Sequence, residues 1–125
     1  MIIFVCEHGA AKSILAAAYF NKLASDNAFG LTAVARGTLP DAELSSTVIT
    51  GLREDGLLPT ESIPTKLTSE EVESAHRIVS FCPLPGEYTQ KARVEYWDDV
   101  PPVSEDYERS RDAILKHLKE LINDL

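Results

Sequence analysis

The sequence predicts a three-layer α/β sandwich on a four-stranded parallel sheet, and three observations carry that prediction. Short runs dense in β-branched and aromatic residues (Ile2 to Cys6, Leu31 to Arg36, Arg77 to Cys82 and Val94 to Trp97) read as strands, the first and third buried on both faces. Stretches of helical composition or periodicity separate them, and strands that alternate with helices assemble into a parallel sheet through right-handed crossovers. At 125 residues with 44% hydrophobic content, the chain is long enough for one core and too short for two, so residues 1–125 read as a single domain.

Each element has its own local signal. After the first strand, the alanine-rich and leucine-containing run from about Ser13 to Ala24 suits a helix packed closely on a sheet. Ser25 to Gly30 supplies turn chemistry before the second strand, and Gly37-Thr38-Leu39-Pro40 closes that strand. Asp41 is the expected cap of a helix running to about Glu54, where Asp55-Gly56 stops it, with Leu44, Val48, Ile49 and Leu52 on one face. Pro59 and Pro64 enforce an extended connection. Thr68-Ser69-Glu70-Glu71 has the spacing of a capping box and starts a short helix to about Ala75. Pro83 to Gly86 break the chain after the third strand, and Glu87 to Ala92 has room for one or two helical turns. Asp98 to Val103 reads as a loop, and Ser104 to Leu125 as an amphipathic helix with Ile114, Leu115, Leu118, Leu121 and Ile122 inward. A flavodoxin-like strand order follows, with the loops after Cys6, Arg36, Cys82 and Trp97 on one rim of the sheet.

Composition excludes several classes of partner. A formal charge of −8 with no Lys/Arg cluster argues against nucleic acid, whose phosphates require a basic surface. No apolar run reaches membrane-spanning length and no signal-peptide pattern precedes the first strand, so a cytoplasmic protein without membrane association is expected. Cys6 and Cys82 lie far apart and read as reactive or buried thiols rather than a disulfide framework. His8, His76 and His117 show no ligand spacing with each other or with the cysteines, so no metal is expected.

The chemistry centres on the first turn, Cys6-Glu7-His8-Gly9-Ala10-Ala11-Lys12-Ser13. At a strand-to-helix turn the free backbone N–H groups of residues 7–13 converge, and the helix dipole adds positive character, which suits a tetrahedral oxyanion. The same groups, with Lys12, favour the thiolate form of Cys6, the nucleophilic one. A lysine in the first turn of a helix is unfavourable unless an anion sits there, so Lys12 reads as an oxyanion ligand. Ser13 has two readings, plain helix cap or partner of the thiolate. His8 reads as a loop residue without a chemical role, with catalysis the minority reading, and Cys82 as either a core thiol or a redox partner. Asp98 and Asp99 read, on the residues alone, as part of a solvated turn. A nucleotide-binding glycine-lysine-serine loop is excluded, because its required glycines would fall on Cys6 and Ala11.

These residues carry a resemblance. Cys6, five intervening residues, Lys12 and Ser13 at the end of a first strand are similar to the phosphate-binding loop of the low-molecular-weight protein tyrosine phosphatase and thioredoxin-linked arsenate reductase superfamily, a cysteine, five residues, an arginine, then serine or threonine. Ala33 to Thr38, Lys66-Leu67-Thr68 and Tyr96-Trp97-Asp98 extend the likeness along the chain. The resemblance implies a phosphotyrosine phosphatase I-like fold and a Cys6 that attacks phosphorus or arsenic. His8 and Cys82 tilt it toward the reductase branch, in which a cysteine after the third strand is redox-active. A small oxyanion (phosphate, arsenate or sulfate) is the implied ligand. A phosphotyrosine substrate or thioredoxin is the implied partner, and no cofactor is implied beyond a thiol reductant such as thioredoxin, glutathione or mycothiol.

The sequence also departs from that pattern. Lys12 replaces an arginine, and an ammonium cannot donate to two oxygens as a planar guanidinium does. Gly9 stands where an asparagine braces the loop, and Pro101-Pro102 where an aspartate-proline pair supplies the acid, which leaves Asp98 or Asp99 as substitutes. Loss of such an acid costs about 10²–10⁴-fold in rate. Three functions therefore compete: arsenate reduction through Cys6 and a resolving thiol, phosphomonoester hydrolysis through a phosphocysteine, and oxyanion binding without catalysis. Cys82 favours the first, the missing acid weakens the second, and joint loss of arginine and aspartate is the mark of the third.

Overall fold

The computed structural model describes all of residues 1–125. Its elements in chain order are β1 (Ile2–Cys6), α1 (Lys12–Asp26), β2 (Ala33–Gly37), α2 (Ser46–Glu54), α3 (Ser69–Ser74), β3 (Arg77–Ser80), α4 (Gly86–Thr89), β4 (Val94–Tyr96) and α5 (Tyr107–Asp124). The four strands form one all-parallel sheet in the order β2-β1-β3-β4, the flavodoxin-like arrangement that the alternation predicted.

Strand β1 is central and every residue in it is buried, which is why it carries no alternation of polar and apolar side chains. Ile2, Phe4 and Cys6 face a cluster built with α1, α2 and α5, while Ile3 and Val5 face a smaller one with Leu67, Val72, Ile78 and Tyr88. Ala16, Ala17 and Ala18 let α1 lie close against the sheet, and Phe4 sits between the rings of Phe20 and Trp97 at 6.1 and 5.7 Å. Asp55, the residue that ends α2, accepts from the hydroxyls of Tyr19 at 2.5 Å and Tyr107 at 2.9 Å and so ties three helices together. No helix is long and apolar enough to cross a membrane.

Several boundaries differ from expectation for identifiable reasons. The helix expected to start at Asp41 starts at Ser46, with the Ser45 hydroxyl accepting from Val48 N–H. The backbone from Thr38 to Ser45 is committed elsewhere: the N–H groups of Leu39, Asp41 and Ser45 donate to the carbonyls of Glu7, His8 and Ala10 at 2.8, 3.0 and 3.0 Å. The last helix starts at Tyr107 rather than Ser104, because Asp106 caps it by accepting from Arg109 N–H at 3.1 Å. Strand β3 stops at Ser80, whose hydroxyl donates to Cys82 C=O at 2.6 Å and accepts from Cys82 N–H at 3.2 Å, folding the chain into a turn. Strand β2 begins two residues late, at Ala33, where the Asn21 side chain brackets its N–H and C=O. The capping box at Thr68 and Glu71 forms as its spacing predicts.

Candidate active site

Because β1 lies between β2 and β3, the crossovers leave it in opposite directions, and the crevice at the carboxyl ends of the strands opens beside Cys6. The turn from Glu7 to Ala11 hangs there from its carbonyls. Those of Cys6, Glu7, His8 and Ala10 accept from the N–H groups of Thr38, Leu39, Asp41 and Ser45, while Ala11 C=O opens the helical ladder. From Glu7 through Ile14, no backbone N–H donates to a protein acceptor. A peptide's N–H points opposite its C=O, so carbonyls held on the outside of the turn leave the donors on its concave side. Gly9 makes the turn possible with φ +62°, in the left-handed region. Gly37 makes room for it, since a side chain there would meet Gly9 N at 2.6 Å.

Cys6 ends β1 on this concave side, buried, with its Sγ 3.0 Å from the Ser13 hydroxyl. Helix α1 starts at Lys12, so Ser13 is not its cap. Its hydroxyl instead stands within hydrogen-bonding reach of the Cys6 sulfur. The half-buried Lys12 ammonium has no ion pair and no hydrogen bond to the protein and lines the same cavity. Arg36, the arginine at the end of β2, is held by Glu61 at 2.9 Å and Glu71 at 2.8 Å and is not free to take the place of the missing guanidinium.

The cavity over Cys6 has a volume of about 700 Å³. Glu7, His8, Ala10, Ala11 and Lys12 line it from the turn, and Cys82 lines it from the end of β3. Burial pushes the Cys82 thiol up, opposed by the Ser80 hydroxyl 3.6 Å from its sulfur, so at neutral pH it is held as a thiol. Asp98 and Asp99 lie outside this lining. Asp98 borders a smaller cavity that shares Phe81 and Cys82 with this one and is otherwise lined by Pro83, Leu84 and Tyr96. Asp99 is bound to His117 Nε2 at 2.7 Å, a contact that holds its carboxyl below the usual carboxylate range. Pro102, Val103 and Ser104 are what the 98–106 segment presents to the cavity.

Sequence reasoning missed Asp41 and Glu43, which line the cavity from the segment after β2. Asp41 Oδ1 lies 3.2 Å from His8 Nδ1. The available signal was Gly37-Thr38-Leu39-Pro40, a run that keeps the chain extended long enough to cross the neighbouring turn before a helix can begin. No three His, Cys, Asp or Glu side chains come together in a way that would hold a metal ion.

A parallel α/β sheet with a cysteine heading a turn of unspent N–H donors defines a class, the oxyanion-binding thiol proteins. No protein-family model and no curated protein sequence matches the chain. Solved structures do. An arsenate reductase from Archaeoglobus fulgidus is 25% identical with a TM-score of 0.79, over 98% of this chain and 99% of that one. A protein tyrosine phosphatase from Entamoeba histolytica is 18% identical with a TM-score of 0.80, over 97% and 93%. A thioredoxin-dependent arsenate reductase from Corynebacterium glutamicum is 20% identical with a TM-score of 0.72, over 99% of this chain and 62% of that one. The chain has the fold of the superfamily shared by arsenate reductases and low-molecular-weight protein tyrosine phosphatases, a fold of cysteine-dependent oxyanion enzymes.

Proposed function

We propose that the protein is an arsenate reductase that uses Cys6 as nucleophile and Cys82 as resolving thiol. The observation that carries this reading is the presence of both sulfurs on one cavity, one hydrogen-bonded to Ser13 beneath a turn of free donors and the other held as a thiol by burial. The N–H groups of residues 7–14 and Lys12 bind the arsenate oxygens, as an anion at a helix N-terminus is bound. The Cys6 thiolate forms a sulfur–arsenic bond as one arsenic–oxygen bond breaks and its oxygen leaves as water. Cys82 then gives up its proton to solvent in the cavity and attacks the Cys6 sulfur. The sulfur–arsenic bond pair stays on arsenic, which departs as arsenite, and the two thiols become a disulfide. Val5 pairs with Ser80, so Cys6 and Cys82 follow the ends of adjacent strands, and closing the disulfide requires their sulfurs to meet at bonding distance. A dithiol such as thioredoxin, or glutathione or mycothiol, reduces the disulfide.

Mass spectrometry after incubation of the reduced protein with arsenate tests this. The expected product is a Cys6–Cys82 disulfide with stoichiometric arsenite, absent in Cys6→Ser and, without added thiol, in Cys82→Ser. Hydrolysis of an aryl phosphate with no arsenate-driven oxidation would instead make it a phosphomonoesterase. Binding of phosphate without either reaction would leave an oxyanion-binding protein.

A further inference from the structure

Attack on a tetrahedral oxyanion needs a proton for the oxygen that leaves, and the segment before α5 brings no acidic group to the cavity. Its four carboxylates, Asp98, Asp99, Glu105 and Asp106, lie outside the lining, and Pro101 and Pro102 have no proton to give. The cavity does contain an imidazole. We infer that His8 is the proton donor to the departing oxygen and that Asp41 is its positioning residue, an assignment that rests on the oxyanion chemistry proposed above.

Two ties from the segment after β2 hold His8 in place. Its carbonyl accepts from Asp41 N–H at 3.0 Å, and its Nδ1 faces Asp41 Oδ1 at 3.2 Å. The backbone bond keeps the two residues side by side, and the Asp41 carboxylate stands as the ion-pair partner of the ring, with both side chains more than half exposed. The second nitrogen is left free. Nε2 has only Glu7 Oε2 near it, at 3.8 Å, beyond hydrogen-bonding reach, and the ring borders the cavity. The other titratable groups on that cavity are Cys6, Glu7, Lys12, Glu43 and Cys82. Lys12 sits in the first turn of the anion-binding helix, and the sulfurs are committed to bond formation. Glu7 and Glu43 offer carboxyl oxygens, whereas an imidazole is the side chain that most often passes a proton in such a step.

The step balances. The Cys6 sulfur–arsenic bond forms, the arsenic–oxygen bond breaks with its electron pair on oxygen, and the Nε2 proton joins that oxygen, so that water leaves. The imidazole remains neutral with its Nδ1 proton facing Asp41, and no electrons are transferred until Cys82 attacks. With an aryl phosphate the same proton goes to the phenolate oxygen.

The test compares wild type, His8→Gln and Asp41→Asn in single-turnover oxidation by arsenate from about pH 5 to 8, and in hydrolysis of phenyl phosphate and p-nitrophenyl phosphate. Wild type should slow as pH rises through the imidazole range. His8→Gln should lose that falling limb and about 10²-fold of the rate at the acid end. Asp41→Asn should move the limb to lower pH. His8→Gln should slow phenyl phosphate far more than p-nitrophenyl phosphate, whose leaving group departs without a proton. An unchanged limb and rate in His8→Gln, or equal slowing of both esters, overturns the assignment and leaves the proposed function intact. A wild type inactive on arsenate and on both esters overturns the proposed function and the proton donor with it.

Discussion

Two segments border the crevice at the ends of the strands, the turn from Glu7 to Ala11 and the stretch from Asp98 to Asp106, and both are held firmly for opposite uses. In the first, the carbonyls are satisfied by a neighbouring segment, and the N–H donors from Glu7 to Ile14 have no protein partner. In the second, the polar groups are turned on its own helix. Ser110 donates to Pro101 C=O at 2.5 Å, the N–H groups of Glu105 and Asp106 donate to Pro102 C=O, and Asp99 holds His117, whose ring stacks on Trp97 at 4.7 Å. Val100 and Val103 are buried beneath it. Rigidity alone does not make a site. What distinguishes the first segment is that its hydrogen-bonding capacity is left unspent on the concave side, where an anion can use it.

The largest effect should come from disturbing the contact that shapes the turn. Adding a side chain at Gly37 puts a carbon 2.6 Å from Gly9 N and 2.9 Å from the His8 carbonyl carbon, backbone atoms that cannot rotate away. Gly37→Ala should therefore cost about 1–3 kcal/mol of stability and weaken phosphate binding by at least about tenfold, the loss of one well-placed donor. Gly30→Ala, whose added carbon meets nothing within 4 Å, is the matched control. Urea melts and calorimetry with inorganic phosphate measure both. Phosphate affinity unchanged in Gly37→Ala would mean that the turn's shape is not what gathers the donors.

An intermediate effect should follow from Lys12, the free cation of the first segment. Backbone donors dominate ground-state anion binding, while a guanidinium fork meets two equatorial oxygens of the transition state. Lys12→Arg should raise kcat by about tenfold while phosphate Kd changes much less. Equal changes in both would show that the side chain binds ground state and transition state alike.

The sequence made one side of this comparison legible and left the other dark. A buried strand, a small-residue turn and an alanine-rich helix are local signals, so Cys6 and its turn, the parallel order and the capping box at Thr68 could be read directly. Asp41 could not, because aspartate before an apolar periodic stretch is a good helix cap. What overrides that preference is the need of three carbonyls in a turn more than thirty residues earlier for the N–H groups of residues 39–45. Ser13 was ambiguous for a related reason: its distance from the Cys6 sulfur depends on where α1 begins, and α1 begins at Lys12 without a side-chain cap. Asp98 and Asp99 were singled out by nearness in sequence to Pro101. Their surroundings are set by His117 on α5 and by a second cavity next to Cys82, contacts that no local pattern encodes.

The smallest effect, and the one that most sharply separates the two segments, belongs to Asp99. Its carboxylate is largely exposed and its partner is on α5, so its contribution is that of a surface ion pair. Asp99→Asn should change turnover less than about twofold, far below the roughly 10²–10⁴-fold that loss of a general acid costs, and stability by no more than about 0.5 kcal/mol. The acid side of the stability profile provides an independent check. The His117 contact lowers the Asp99 carboxyl below its ordinary 3.8, so its increment is present above that value and fades as pH falls through the lower folded-state value. Wild type should lose this small increment below about pH 4 while Asp99→Asn, with nothing to protonate, should not. If instead Asp99→Asn loses most of its turnover on arsenate or phenyl phosphate, the segment before α5 swings its carboxylate to the cavity during the reaction. The two segments would then share the chemistry rather than divide it between anion binding and packing.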